Sequence, residues 1–205
     1  MGRRRGFLIC IEGIDASGKT TQANLLALKL KAHGLDVFLS REPTDGWFGR
    51  LIKSLLRGRE RPPPVVEAVL FALDRYWHVE EWVRPALEDG KVVVLDRYYY
   101  SSLAYQGSSS LDMDWLRDLN SFAPKPDLAI YLDVRPEVAL ARIGHPRTVL
   151  EQLKIQEAVR ATYLELVRSG ELVLVDAERP VEDVARDVLK LALASLKEHG
   201  FLTSR

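Results

Sequence analysis

Residues 7–21 of the chain, FLICIEGIDASGKTT, decide the fold. An apolar run, residues 7–11, predicts a buried β-strand, because strands covered on both faces are continuously hydrophobic. Gly13 to Thr20 then matches the pattern G-x-x-x-x-G-K-[ST], and a stretch of helical period follows it. A strand, a glycine-rich turn and a helix in this order predict a P-loop, whereas an ordinary glycine turn would need neither flanking element.

The chemistry of this turn predicts a site for a nucleoside triphosphate with Mg²⁺. Its glycines allow backbone N–H groups to turn inwards around the β- and γ-phosphates, and the helix begins there with its positive dipole end. Lys19 is expected to neutralise charge on the transferred group, and Thr20 to bind Mg²⁺. The residues predicted to bind ATP here are Gly13, Ala16, Ser17, Gly18, Lys19, Thr20 and Thr21.

Beyond this turn, short apolar runs alternate with longer helical segments, which is typical of a parallel sheet covered by helices. The predicted strands are residues 7–12, 35–40, 92–96, 128–133 and 172–176. The predicted helices are residues 20–33, 48–57, 65–88, 114–122, 136–142, 150–168 and 181–199. The pattern favours a three-layer α/β/α fold with a five-stranded parallel sheet, in one domain spanning residues 1–205 and carrying a short lid at about residues 142–150.

Composition restricts the partners and the compartment. The 205 residues contain 29 Lys plus Arg and 29 Asp plus Glu, so no net charge draws the chain to nucleic acid. No apolar stretch approaches the roughly 20 residues that cross a bilayer, so no membrane association is expected. The single cysteine, Cys10, lies in the first predicted strand and excludes an internal disulfide framework. A reducing, cytoplasmic setting is therefore expected.

The third predicted strand ends in an acid and a base, Asp96 and Arg97. Open parallel sheets bind ligands at the carboxyl ends of their strands, so both side chains are expected to face the phosphates. Asp96 resembles the Walker B acid that holds Mg²⁺, and Arg97 offers a planar fork to a second phosphate. The alternative is a surface ion pair that closes the strand.

The segment from Asp96 to Gln106 reads D-R-Y-x-x-S-x-x-A-Y-Q. Together with the P-loop, the Arg-Glu-Pro sequence at residues 41–43 and residues 71–78, it resembles the thymidylate kinases over nearly the whole chain. This resemblance implies a P-loop nucleoside monophosphate kinase that converts dTMP and ATP to dTDP and ADP. It also implies a homodimer.

The resemblance assigns an acceptor site to residues scattered along the chain. Arg41 and Arg97 would grip the acceptor phosphate, Phe71 would stack on the base, and Arg75 would bond the base edge. Asp15 would receive the 3′-hydroxyl group, and Tyr105 would crowd out a 2′-hydroxyl group. Ser102 and Gln106 would flank the same pocket. For Phe71, Arg75 and Tyr105, ordinary roles in packing or in a surface ion pair stay open.

The family also places a catalytic arginine either in the P-loop or in the lid. This chain has Ala16 at the loop position, so Arg147 is the expected lid arginine, with Arg142 beside ATP. The predicted catalytic residues are Lys19, Arg97, Arg147 and Asp15. Two alternatives remain at this point: a related kinase for another nucleoside monophosphate or a deoxynucleoside, and a nucleotide-binding switch without transfer activity.

Overall fold

A computed structural model describes residues 5–58, 60–145 and 148–202. Its centre is an open, all-parallel sheet of five strands in the order β2-β3-β1-β4-β5. The strands are β1 (Phe7–Glu12), β2 (Val37–Arg41), β3 (Val92–Asp96), β4 (Leu128–Asp133) and β5 (Val173–Asp176). The predicted parallel sheet is confirmed, with β1, β3 and β4 at their predicted bounds. β2 and β5 begin two residues and one residue later than predicted.

Helices cover both faces of this sheet, as in a three-layer α/β/α fold. They are α1 (Lys19–Ala32), α2 (Trp47–Leu56), α3 (Pro64–His78), α4 (Arg84–Glu88), α5 (Tyr99–Gly107), α6 (Met113–Leu119), α7 (Pro136–Ile143), α8 (Leu153–Arg168) and α9 (Val181–Glu198). A π-helical turn, Val79–Val83, joins α3 to α4, so the predicted helix over residues 65–88 is one continuous helical segment.

Three helices differ from the sequence prediction by more than one residue. Helix α8 begins at Leu153 and not at residue 150. Sequence reasoning missed α5, because its residues were taken up by the motif that begins at Asp96 and show no clear helical period. Helix α6 ends at Leu119 and not at Phe122. Its capping is local: the Asp112 carboxylate accepts the Trp115 N–H at 2.7 Å, and the buried Asn120 side chain donates to the Leu116 carbonyl at 2.7 Å.

The core lies on both sides of β1, where every residue is buried. Cys10 is fully buried in this strand, as expected for a small apolar residue, and burial raises the pKa of its thiol. Within the described residues, no helix is both long and apolar enough to span a bilayer.

The register of the strands brings their carboxyl ends to one edge. Ile11 of β1 and Arg41 of β2 both pair with Asp96 of β3. The loops that follow these three strands therefore meet at the same place, which is where an open parallel sheet binds ligands.

Candidate active site

The loop between β1 and α1 has backbone conformations that favour glycine. Gly13 and Gly18 have φ angles of +154° and +94°. A Cβ atom at Gly13 would lie 2.5 Å from the Ser17 Oγ and 2.9 Å from the Leu132 carbonyl oxygen, so no larger residue fits there. Ala16 also has a positive φ, +57°. The loop thus forms a tight turn at the N-terminus of α1, which favours a bound anion.

Lys19 lies inside this turn. Its Nζ donates to the Ile14 carbonyl at 2.5 Å and to the Ser17 Oγ at 3.4 Å. Burial and then the nearby Arg97 charge lower the pKa of Lys19 to about 7. A phosphate bound in the turn would favour the charged amine by direct attraction.

Thr20 and Asp96 lie side by side at the start of α1 and the end of β3. The Thr20 hydroxyl donates to the Asp96 Oδ2 at 2.5 Å, and the Asp96 Oδ1 is buried without a hydrogen-bond partner among the described residues. Hydroxyl and carboxylate oxygens are ligands that Mg²⁺ prefers. The described residues hold no cluster of three or more His, Cys, Asp or Glu side chains suited to a metal. One carboxylate with a hydroxyl fits Mg²⁺, which usually takes its other ligands from water and phosphate.

Arg97 connects this region to a second cleft. Its φ angle is +71°, in the left-handed region that costs a non-glycine residue free energy. The guanidinium forms a salt bridge with Asp15 and donates to the Ser101 Oγ at 3.1 Å and the Tyr105 hydroxyl at 3.4 Å. Its carbon also lies 5.2 Å from the centre of the Tyr105 ring. These contacts hold the guanidinium at the mouth of the cleft.

Gln156 of α8 fixes the other side of Asp15, and sequence reasoning missed it. Its Oε1 accepts the Asp15 N–H at 3.1 Å, and its Nε2 donates to the Asp15 Oδ2 at 3.0 Å and to the Leu150 carbonyl at 2.8 Å. The side chain is fully buried. No local motif marks it, because its position in an amphipathic helix looks like any other.

The second cleft collects most of the predicted acceptor residues. It is lined in part by Asp15, Phe71, Arg97, Ser102, Tyr105 and Gln106. Thr148 and Leu150, which follow α7 in the chain, also line it. The lining combines apolar side chains, such as Leu56 and Phe71, with several polar and charged groups. Sites for small organic ligands use such polar groups to fix the ligand's orientation.

A different cleft lies over the P-loop. Its lining includes the loop residues Ala16, Ser17 and Gly18, the start of α1 with Lys19, Thr20 and Thr21, and Arg142 from α7. Arg142 donates to the Ala16 carbonyl at 3.3 Å and to the Ala177 carbonyl at 3.1 Å. The predicted nucleotide residues are therefore together, and Arg142 is beside them. Arg147, the predicted lid arginine, lies outside the described residues.

A third cleft joins these two. Arg41 lines it with Asp15, Lys19, Asp96 and Arg97. The Arg41 guanidinium pairs with Asp45 at 2.9 Å, and both side chains are exposed.

Arg75, in contrast, is buried behind the acceptor cleft. It is only 1% exposed, and it pairs with Glu42 at 2.7 Å. Its Nη1 donates to the Ser102 Oγ at 3.1 Å and to the Asn120 Oδ1 at 2.5 Å. It reaches the lining of the cleft through Ser102, and a direct bond to a base stays a prediction. Sequence reasoning missed Glu42 and Asn120, which fix the guanidinium.

The fold and this pair of clefts joined at a P-loop define a nucleotide-dependent phosphoryl-transfer protein of the P-loop class. A protein-family model described as thymidylate kinase matches residues 11–188. The chain belongs to the thymidylate kinase family.

Similar proteins carry the name of this family. A "Probable thymidylate kinase" of Pyrococcus abyssi (strain GE5 / Orsay) is 46% identical over 196 residues, covering 91% of this chain and 96% of the relative. That of Thermococcus kodakarensis (strain ATCC BAA-918 / JCM 12380 / KOD1) is 43% identical over 204 residues, covering 94% and 100%. A bacterial "Thymidylate kinase", from Xanthomonas oryzae pv. oryzae (strain PXO99A), is 41% identical over 197 residues, covering 94% and 86%.

Proposed function

We propose that this chain transfers the γ-phosphoryl group of ATP to dTMP in a Mg²⁺-dependent reaction, giving dTDP and ADP for dTTP synthesis. The observation that carries the proposal is the shared wall between the P-loop and the acceptor cleft. Asp15 belongs to the loop and lines the cleft, and its partner Arg97 follows the acid of β3. A donor phosphate in the loop and an acceptor phosphate beside Arg97 would thus lie next to each other.

Catalysis in this arrangement rests on position and charge. Arg41 and Arg97 would hold the acceptor phosphate in line with the γ-phosphate, and Lys19 would neutralise charge on the group that moves. No general base is required, because a phosphate monoester has a second pKa of about 6 and is mainly a dianion at neutral pH. When bound, Mg²⁺ would neutralise phosphate charge, and Thr20 and Asp96 would hold it, the latter through water.

The base and sugar would occupy the rest of the cleft. Phe71 offers an aromatic face for stacking and lines the cleft together with Ser102 and Gln106. The Tyr105 ring lies against the Arg97 guanidinium and would exclude a 2′-hydroxyl group from the sugar site. Asp15 would accept the 3′-hydroxyl, and Gln156 keeps its carboxylate oriented for that bond.

A lid over about residues 142–150 is part of the proposal, with the whole chain, residues 1–205, as one domain. Thr148 and Leu150 lie against the acceptor cleft, and Arg142 lies against the nucleotide cleft. Arg142 would bind ATP, and Arg147 would stabilise charge that spreads over the transferred group. Closure of this segment would also keep water away from the γ-phosphate.

We further propose a cytoplasmic homodimer. Helix α3 carries an exposed apolar face at i, i+4 spacing, formed by Val65, Val69, Leu73 and Trp77. An exposed apolar face of this kind is typical of a surface that packs against a second protein. The cytoplasmic setting is supported by the phosphorylated substrates and by a single, buried cysteine.

An assay of ADP release separates this function from a nucleotide-binding switch. The purified protein with Mg²⁺ and ATP should release ADP at a rate that depends on added dTMP. Release that is indifferent to every nucleoside monophosphate would favour the switch. Intact Lys19, Thr20, Asp96 and Arg97 around one loop favour transfer.

A further inference from the structure

The nitrogen and the oxygen of the Gln106 side-chain amide have different surroundings. The residue is 1% exposed and lines the acceptor cleft. Its Nε2 donates to the Glu67 Oε1 at 2.5 Å, whereas its Oε1 is buried without a hydrogen-bond partner among the described residues. A carboxylate can only accept, so the NH₂ group must face Glu67 and the carbonyl oxygen must face away from it.

Glu67 is itself held in place. It is 2% exposed, and Arg61 binds both of its oxygens, with Nε to Oε2 at 2.9 Å and Nη2 to Oε1 at 3.0 Å. This two-point contact fixes the plane of the carboxylate. Arg61 also donates to the Tyr105 carbonyl at 3.3 Å, which links the pair to the end of α5.

We propose that Glu67, held by Arg61, is a positioning residue for base selection: it fixes the Gln106 amide so that the acceptor cleft offers a carbonyl oxygen. The inference rests on the proposed function. A base with an N–H donor at its pairing edge, such as thymine or uracil, satisfies this oxygen. Cytosine has a lone pair at the same ring nitrogen, so two acceptors would face each other in a buried place.

Such a site rejects the wrong base more strongly than it attracts the right one. When a buried acceptor has no donor, the free-energy cost of removing it from water is not compensated. This cost is larger than the net gain from one hydrogen bond. Rejection depends on the amide being unable to rotate, because a rotated Gln106 would offer its NH₂ group to cytosine. Glu67 is the group that prevents this rotation.

The test compares kcat/KM for dTMP with kcat/KM for dCMP. In Glu67→Gln, the new amide can accept or donate, so either orientation of Gln106 becomes satisfied. We expect the dTMP-over-dCMP ratio to fall by at least about tenfold, the equivalent of one hydrogen bond. The double variant Glu67→Gln/Gln106→Glu should restore the ratio, because a carboxylate at position 106 can only accept, both from the new amide at position 67 and from the base.

Glu171→Gln is the matched control. Glu171 binds Arg117 through both oxygens, at 2.8 and 2.9 Å, and lies outside the cleft. This variant loses an Arg–Glu pair of the same kind and should keep the wild-type ratio. Thermal unfolding of each variant shows which proteins are folded in the assay.

Two results would overturn the inference. One is an unchanged dTMP-over-dCMP ratio in folded Glu67→Gln, and the other is a ratio that falls in Glu67→Gln but is not restored in the folded double variant. A wild-type protein that phosphorylates neither nucleotide would instead refute the proposed function, so the two failures are distinguishable.

Discussion

Replacement of Arg97 by alanine should remove most of the activity and little of the stability. The guanidinium is placed to bind the acceptor phosphate, and loss of one preorganised charged donor of this kind typically lowers turnover by about 10²–10³-fold. That factor corresponds to about 2.7–4 kcal/mol of transition-state stabilisation.

The cost to stability follows from the surroundings of Arg97. Its salt bridge with Asp15 is partly exposed, at 17% and 23% for the two side chains, so its contribution lies between those of surface and buried pairs. Asp15 also keeps its hydrogen bonds to Gln156. We therefore expect a loss of about 1–2 kcal/mol, or about 2–8 °C in Tm for a chain of this length.

Two further variants sharpen this test. Arg97→Gly should be as inactive as Arg97→Ala but at least as stable, because glycine relieves the positive φ angle. Arg160→Ala removes the Arg160–Asp133 pair, which has a similar exposure of 30% and 18% and lies outside the clefts. It should lose comparable stability and keep most of the activity.

The assay measures ADP release at saturating ATP and dTMP, with circular dichroism to follow thermal unfolding. The assigned role of Arg97 would be refuted by a turnover within tenfold of wild type. It would equally be refuted by an activity loss that only mirrors the fraction unfolded, or by a similar loss of activity in Arg160→Ala.

Three other predictions concern the metal, the sugar and a buried acid. Asp96→Asn, which keeps the shape of the side chain, should lower turnover by at least about a hundredfold and raise the Mg²⁺ concentration needed for half-maximal rate; a normal Mg²⁺ titration would argue against a metal role. Tyr105→Ala should lower the preference for dTMP over its ribose counterpart by about tenfold, whereas Tyr105→Phe, which keeps the ring, should not; equal ratios in all three proteins would contradict the steric role. Glu12 is buried, and burial raises its pKa in the folded state. The folded protein then binds its proton more tightly than the unfolded chain, so this group's contribution to stability is lost as pH rises through the folded pKa. Relative to Glu12→Gln, the wild-type free energy of unfolding should decrease as pH rises above the ordinary carboxyl range, measured by urea unfolding; parallel pH profiles would count against this.

The sheet could be predicted because its signals are local. Parallel strands buried on both faces are continuously apolar, so the bounds of β1, β3 and β4 follow from residues 7–12, 92–96 and 128–133 alone. Helix α5 could not, since its residues belong to the motif after Asp96 and most of them are buried whatever face they occupy.

The residues of the site also fall into two groups, those that local sequence motifs predict and those that they do not. Lys19, Thr20 and Asp96 lie in motifs that carry their own chemistry, and the structure brings them together. Gln156 and Glu67 act through partners 141 and 39 residues away, and a sequence shows no sign of such contacts. Arg75 was predicted at the base edge, whereas the structure buries its guanidinium against Glu42 and Asn120, partners that the sequence does not indicate. Its contact with a base stays a prediction.

The measurement that tests the central claim most directly is a panel of phosphoryl acceptors with Mg²⁺ and ATP. It compares dTMP, dUMP, dCMP, dGMP, AMP and thymidine at equal concentrations, with each product identified by chromatography. The proposed function predicts that dTMP gives the highest kcat/KM and that dTDP is the product. Faster phosphorylation of thymidine, or of a nucleotide other than dTMP, would contradict it.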